Sequence, residues 1–145
     1  MKYPKLFILL TIVFLDGCSD GYEQHYDKFS DFNSINQRNK GWFPEIISSD
    51  AYNIKNTSYP DSLCAFGTFS YSTTAFYDSI FKEPGTKKID FSLFEQKVNE
   101  HIERKPYWFL NPGKISKSEF EAIQIERFYI VRKMNEKKIY FVLSN

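Results

Sequence analysis

The residues of this chain that could act as nucleophile and base are few and widely spaced. Cys64 is the only cysteine besides Cys18, and the histidines are His25 and His101. A thiol becomes a nucleophile when a neighbouring base accepts its proton, so a Cys64–His101 pair is the arrangement that such chemistry would need. A lone cysteine is more often a small buried hydrophobic side chain. An enzyme, or an enzyme inhibitor, with a site assembled from distant residues is therefore the alternative hypothesis.

The acidic residues occur together with basic ones. Glu95, Glu100 and Glu103 share a predicted helix with Lys97 and Arg104. This mixture indicates an ion-paired, solvated surface rather than the acid and base of glycoside hydrolysis. The sequence has no His-Glu-x-x-His motif, no paired Cys-x-x-Cys motif, no EF-hand loop and no glycine-rich phosphate loop. We predict no catalytic residue, no metal site and no cofactor.

Aromatic residues make up 19% of the 145 residues, with 15 Phe and 10 Tyr. Trp42, Phe43, Tyr107 and Trp108 lie beside proline or turn residues. Rings in such places either anchor a loop on the core or form an exposed platform for a protein or a glycan. Both interpretations are open, and these four residues are the candidate binding residues.

The charge balance argues against nucleic acid as a partner. The chain has 19 basic and 18 acidic residues, and the part after residue 17 has 17 of each. Proteins that bind nucleic acid usually present an excess of Lys and Arg. A neutral domain has no such electrostatic attraction.

Residues 1–17 have the features of a signal peptide. Lys2 and Lys5 give a positive start, and residues 6–15 are apolar except for Thr11. A helix of this length is about 15 Å long, half of a hydrocarbon core of about 30 Å. The segment is thus too short to span a bilayer and is typical of an export signal. We expect its removal, leaving residues 18–145 as a single domain.

The sequence Leu15-Asp16-Gly17-Cys18 resembles the lipobox of bacterial lipoproteins, in which an aliphatic residue and two small residues precede an invariant cysteine. Asp16 stands where a small uncharged residue is usual. The resemblance implies that Cys18 carries a diacylglycerol through a thioether and is acylated on its new amino terminus. Several acyl chains hold a protein stably at a membrane. By the same resemblance, a residue other than Asp after the cysteine, here Ser19, implies export to the outer membrane in a Gram-negative host, with the domain facing the periplasm.

A second resemblance involves Gly41-Trp42-Phe43-Pro44 with Ala51 and Ile54. This stretch is similar to a recurring piece of small uncharacterised bacterial envelope proteins, a Gly-Trp-aliphatic-Pro turn followed by Ala and Ile three residues apart. Phe43 replaces the commoner aliphatic residue. The resemblance implies a fold family without assigned chemistry.

Apolar spacing predicts two main helices, over residues 21–38 and 91–104, and a short one over 44–51. The first pattern has steps of four, three and three residues, at Tyr22, Tyr26, Phe29 and Phe32 with Ile35. Asp90 is the expected N-cap of the second helix, whose apolar stripe is Phe91, Phe94, Val98 and Ile102.

Strands are predicted over residues 63–72, 123–133 and 137–143, and residues 56–62 are predicted as a loop. Gly67 would let another backbone or an aromatic ring come close to the first strand. Met134-Asn135-Glu136 would connect the last two as a hairpin. We therefore predict an α+β fold, with two main helices packed on one face of a small antiparallel sheet of three or four strands ending in a C-terminal hairpin.

Together these features predict a lipid-anchored domain of the bacterial cell envelope. Its expected partners are the membrane, through the lipid on Cys18, and an envelope protein or wall component. Its expected role is non-catalytic binding, and nucleic acid is not an expected partner.

Overall fold

The computed structural model describes residues 21–145. Its seven strands are β1 Tyr22–Lys28, β2 Ala51–Tyr59, β3 Cys64–Tyr71, β4 Lys87–Lys88, β5 Phe120–Ile125, β6 Phe128–Lys133 and β7 Lys138–Leu143. Three short α-helices accompany them: α1 Phe29–Ser34, α2 Thr74–Lys82 and α3 Phe91–Asn99.

All seven strands form one antiparallel sheet in the order β1-β2-β3-β7-β6-β5-β4. The predicted fold, two helices on one face of a three- or four-stranded sheet, is therefore wrong. The sheet is about twice as wide as expected. Its helices pack on both faces, because α2 joins one cluster of buried side chains and α3 joins the other.

The predicted helix over residues 21–38 accounts for much of the error. Residues 22–28 form β1, and only Phe29–Ser34 is helical. β1 pairs with β2 along its length, so that Tyr26 lies opposite Ile54. This pairing between distant segments outweighed the local helical spacing, since β structure depends on neighbouring strands more than on intrinsic preference.

Other predicted elements were partly confirmed. β3 matches the strand expected at 63–72, and β6 and β7 form the expected hairpin through a 3-10 turn at Met134–Glu136. The strand expected at 123–133 is divided between β5 and β6 by a turn in which Glu126 has φ 51°. The loop predicted at 56–62 is wrong in its first half, which continues β2 to Tyr59.

The predicted helix over 91–104 is shorter than expected. α3 ends at Asn99, and a separate 3-10 turn covers Ile102–Arg104. Asp90 is the N-cap, as predicted, and its Oδ1 accepts a hydrogen bond of 2.7 Å from the backbone N–H of Ser92. The short helix predicted over 44–51 is wrong, because turns lead into β2 there.

The larger of the two clusters lies on the first face of the sheet, beneath α1, α2 and the segment 42–50. Gly67 of β3 pairs with Phe141 of β7, and the phenyl ring lies over the glycine. A Cβ at Gly67 would be only 1.9 Å from Phe141 Cζ. The close approach of a ring predicted from Gly67 is thus confirmed.

The smaller cluster lies on the second face, beneath α3 and the loop that contains Phe109. It includes Phe66 of β3, Val131 of β6 and Val142 of β7, which pack against side chains of α3 such as Phe94. None of the buried side chains of this cluster comes from β1 or β2. The second face is consequently apolar at one end and polar at the other.

A buried arginine fastens α2 to the first face. The Arg132 side chain is 2% exposed. Its Nε donates to Glu121 Oε2 at 2.9 Å, its Nη1 donates to Asp78 Oδ1 at 2.7 Å, and its guanidinium carbon lies 4.7 Å from the centroid of the Phe81 ring. The hydrogen bond from Arg132 holds the pKa of Asp78 below its usual value.

We predict that Arg132→Met lowers the free energy of unfolding at pH 7, because it removes the charged hydrogen bonds from the buried guanidinium to Glu121 and Asp78. Asp78 has a lower pKa folded than unfolded, so the pair stabilises the fold above about pH 4 and loses this effect as the pH falls through the folded pKa. The difference between wild type and variant should therefore shrink from pH 6 to pH 3, as measured by urea denaturation.

Lys82→Met is the matched control, because Lys82 Nζ lies 4.0 Å from the same carboxylate but its side chain is 68% exposed. Its effect should be within about 0.5 kcal/mol at every pH. Equal losses in the two variants, or a loss for Arg132→Met that does not depend on pH, would contradict this account of the arginine.

Candidate binding groove

The polar end of the second face holds a groove that runs over β1, β2, β3 and β7. It consists of two adjoining depressions of about 240 and 320 Å³. They share three lining residues, His25, Lys55 and Trp108. The smaller depression is also lined by Asn53, Thr68, Ser70 and Lys138, and the larger one by Glu23, Gln24 and Tyr107. We call the two together the groove.

Strand register brings the lining residues to one face. His25 of β1 lies opposite Lys55 of β2, and Lys55 lies opposite Thr68 of β3. Two residues farther along β3, Ser70 lies opposite Lys138 of β7. Side chains alternate between faces along a strand, so these positions share the face that Phe66 occupies farther along β3. The register of β2 against β3 shifts between Tyr52 and Lys55 of β2.

Trp108 forms one wall of the groove and is held from two sides. Its Nε1 donates to Glu23 Oε1 at 3.0 Å, and its ring centroid lies 6.0 Å from that of Phe109, a buried member of the smaller cluster. The indole is half-buried, whereas the neighbouring Tyr107 is 96% exposed. The loop 107–109 thus continues the core of the second face as an aromatic wall beside the polar strands.

The two lysines of the groove carry charge that is not neutralised nearby. Neither Lys55 nor Lys138 forms an ion pair with any residue of the described part of the chain. Lys138 Nζ lies 5.1 Å from the centroid of the Tyr140 ring. His25 Nε2 lies 3.3 Å from Asp27 Oδ1. The smaller depression has no carboxylate in its lining, and the acid of the larger one, Glu23, is engaged by Trp108.

Of the four candidate binding residues, the structure brings two to the groove and leaves two on the other face. Tyr107 and Trp108 line the groove. Phe43 is 3% exposed and its ring centroid lies 4.9 Å from that of Phe32 in the larger cluster, so it is a core residue rather than part of an exposed platform. Trp42 packs against the same cluster, and its carbonyl accepts a hydrogen bond of 2.8 Å from Asn56 Nδ2.

Cys64 and His101 are engaged separately. Cys64 is fully buried in the smaller cluster, its Sγ lies 3.4 Å from Ser62 Oγ, and burial raises the pKa of the thiol. His101 Nε2 lies 3.2 Å from Ser144 Oγ, and burial lowers the pKa of the imidazole. The prediction of a buried Cys64 is confirmed. A buried thiol with a raised pKa is a poor nucleophile, so the example of a Cys64–His101 pair is disfavoured.

The sequence reasoning missed the polar residues of the groove, chiefly Lys55, Thr68, Ser70 and Lys138. They are far apart in sequence and belong to three strands. One signal was present: along β3 the alternate positions after Phe66 change from apolar to hydroxyl side chains. That change marks where the cover of the second face ends.

In the range 21–145, no group of three or more His, Cys, Asp or Glu side chains is placed to hold a metal ion. The helices in that range are all too short or too polar to cross a membrane.

One comparison with known proteins gives a match. Residues 20–70 match the family model of the YbbD head domain. This is a bacterial family, and the match suggests an envelope-associated protein. No curated protein and no solved structure matches the chain significantly.

The segment that matches the YbbD head domain contains β1, α1, β2 and nearly all of β3. It thus contributes His25, Lys55, Thr68 and Ser70 to the groove, while the aromatic wall and Lys138 come from the rest of the chain. Cys18 and the lipobox lie outside both the matched segment and the described residues.

Proposed function

We propose that this chain is a lipid-anchored domain of the bacterial cell envelope and that its groove binds another envelope component, either a protein or part of the wall, without catalysing a reaction. The observation that carries the proposal is the groove itself. An aromatic wall borders a row of polar side chains, and the two ammonium groups there form no ion pair with any of the described residues.

Features of the groove favour binding over catalysis. Ligand sites typically combine an apolar wall with a few polar groups that fix orientation, which is the combination of Trp108 with Thr68, Ser70 and Lys55. Catalysis by a nucleophile would need a base within hydrogen-bond reach of it. His25, the histidine of the groove, contacts Asp27, and among the described residues it forms no hydrogen bond with the hydroxyl of Thr68 or Ser70. The thiol of Cys64 is buried.

The lipid anchor is supported by the sequence of residues 15–18, which resembles a lipobox. β1 begins at Tyr22, so Ser19, Asp20 and Gly21 separate Cys18 from the sheet. A link of this length keeps the folded domain beside the bilayer once Cys18 carries acyl chains.

The first prediction concerns the anchor. Cys18→Ser should move the protein from the membrane pellet to the soluble fraction, because the sulfur that would carry the diacylglycerol is lost. Fractionation and immunoblotting measure this. Cys64→Ala is the matched control and should remain in the pellet, since that thiol is buried in the core. A Cys18→Ser protein that still pellets, with no acyl mass on the wild type, would overturn the anchor.

The second prediction concerns the groove. A photo-crosslinking amino acid at Tyr107, on the rim, should give a discrete adduct in living cells, and the same amino acid at Phe76 should not. Phe76 is 44% exposed on α2, on the first face. The adduct should disappear with Ser70→Trp, because an indole at Ser70 would fill the smaller depression. Equal adducts from both positions, or an adduct that survives Ser70→Trp, would contradict binding in the groove.

A further inference from the structure

The charge of the groove is positive where the sheet is most open. Lys55 and Lys138 stand on either side of β3, and the lining between them has no carboxylate. Four other lysines of residues 21–145 form ion pairs, among them Lys97 with Glu100 at 2.8 Å and Lys117 with Glu95 at 3.0 Å. Two ammonium groups that form no ion pair, on one concave surface, complement a ligand with more than one negative charge.

Each ammonium-bearing residue has a hydroxyl residue directly opposite it in the sheet. Thr68 pairs with Lys55, and Ser70 pairs with Lys138. The Thr68 hydroxyl donates to the carbonyl of Ile139 at 2.8 Å and is almost fully buried, whereas Ser70 is partly exposed to the groove. Alternating ammonium and hydroxyl groups suit a ligand that carries both acidic groups and hydroxyls.

The aromatic wall adds the third element of recognition. Trp108 lines both depressions, and its bond to Glu23 and its packing on Phe109 fix the ring before any ligand arrives. A preorganised aromatic surface loses little conformational entropy on binding. Beside polar strands, it fits the C–H face of a sugar ring, whose hydroxyls would point toward β3.

We propose that the ligand of the groove is an anionic oligosaccharide, one that bears carboxylate or phosphate groups, so this inference rests on the proposed function and gives its ligand class. The two depressions adjoin and share three lining residues, an extent that suits several linked sugars. A membrane surface fits less well, because the groove is lined mostly by polar groups and Tyr107 is its one strongly exposed aromatic residue.

The test measures binding of defined probes to the full chain in mild detergent. Binding is followed by calorimetry and by the chemical-shift change of the Trp108 indole N–H in NMR spectra. Hexagalacturonate and a phosphorylated oligomannoside separate the two anionic groups. Fully methyl-esterified hexagalacturonate and phosphatidylglycerol vesicles are the other arms. At least one anionic oligosaccharide should bind saturably, and the methyl ester should bind at least about tenfold more weakly.

The double variant Lys55→Gln with Lys138→Gln should weaken this binding at least about tenfold, and added salt should weaken it in the wild type. Lys40→Gln with Lys88→Gln changes the net charge equally at exposed sites away from the groove, and should change the affinity less than about twofold. Trp108→Phe, which keeps a ring, should bind more weakly than wild type and more tightly than Trp108→Ala.

Failure of both anionic oligosaccharides to bind, or equal losses in the two double variants, would overturn the proposal. Binding to the vesicles alone, lost with Lys55→Gln and Lys138→Gln, would also overturn it in favour of a membrane-facing surface. These results are separate from the crosslink at Tyr107, which would still identify the groove as a binding site if its ligand were of another class.

Discussion

The pairing of β3 with β7 joins the two halves of the chain into one sheet. Residues about 75 apart meet there, as in Ala65 opposite Leu143. The ring of Phe141 lies over Gly67 at this junction, where a larger side chain would have no room. Because the sheet is seven strands wide, both of its faces need side chains to cover them. The first face is covered by α1, α2 and the segment 42–50, and the second is covered only as far as α3 and Phe109 extend.

The groove is a consequence of this incomplete cover. Where apolar cover ends, the strands must present polar side chains to water, and they do so through Lys55, Thr68 and Ser70. The edge of the cover is Trp108, which belongs partly to the core and partly to the groove. The end of the apolar cover on the second face therefore accounts for both the aromatic wall and the polar strands. The hydrogen bond from Trp108 to Glu23 connects the aromatic wall to the edge strand β1.

The sequence predicted the parts of the fold that depend on local signals. The cap at Asp90, the C-terminal hairpin and the strand around Gly67 each follow from residues close together in the chain. The pattern from Tyr22 to Ile35 failed because strand pairing with β2 decides the structure of residues 22–28. The groove was only half predictable: Tyr107 and Trp108 are conspicuous in sequence, whereas Lys55 and Lys138 become neighbours of β3 only through the sheet order.

The central claim, that the groove is open and its lysines are free, is tested most directly by the acetylation rate of each lysine, followed by mass spectrometry of the folded protein. Lys55 and Lys138, which are half-buried but form no ion pair, should react somewhat more slowly than exposed Lys40. Lys97 should react several-fold more slowly, because its hydrogen bond to Glu100 raises its pKa and its side chain is 15% exposed. Rates for Lys55 and Lys138 as slow as that of Lys97 would contradict the account.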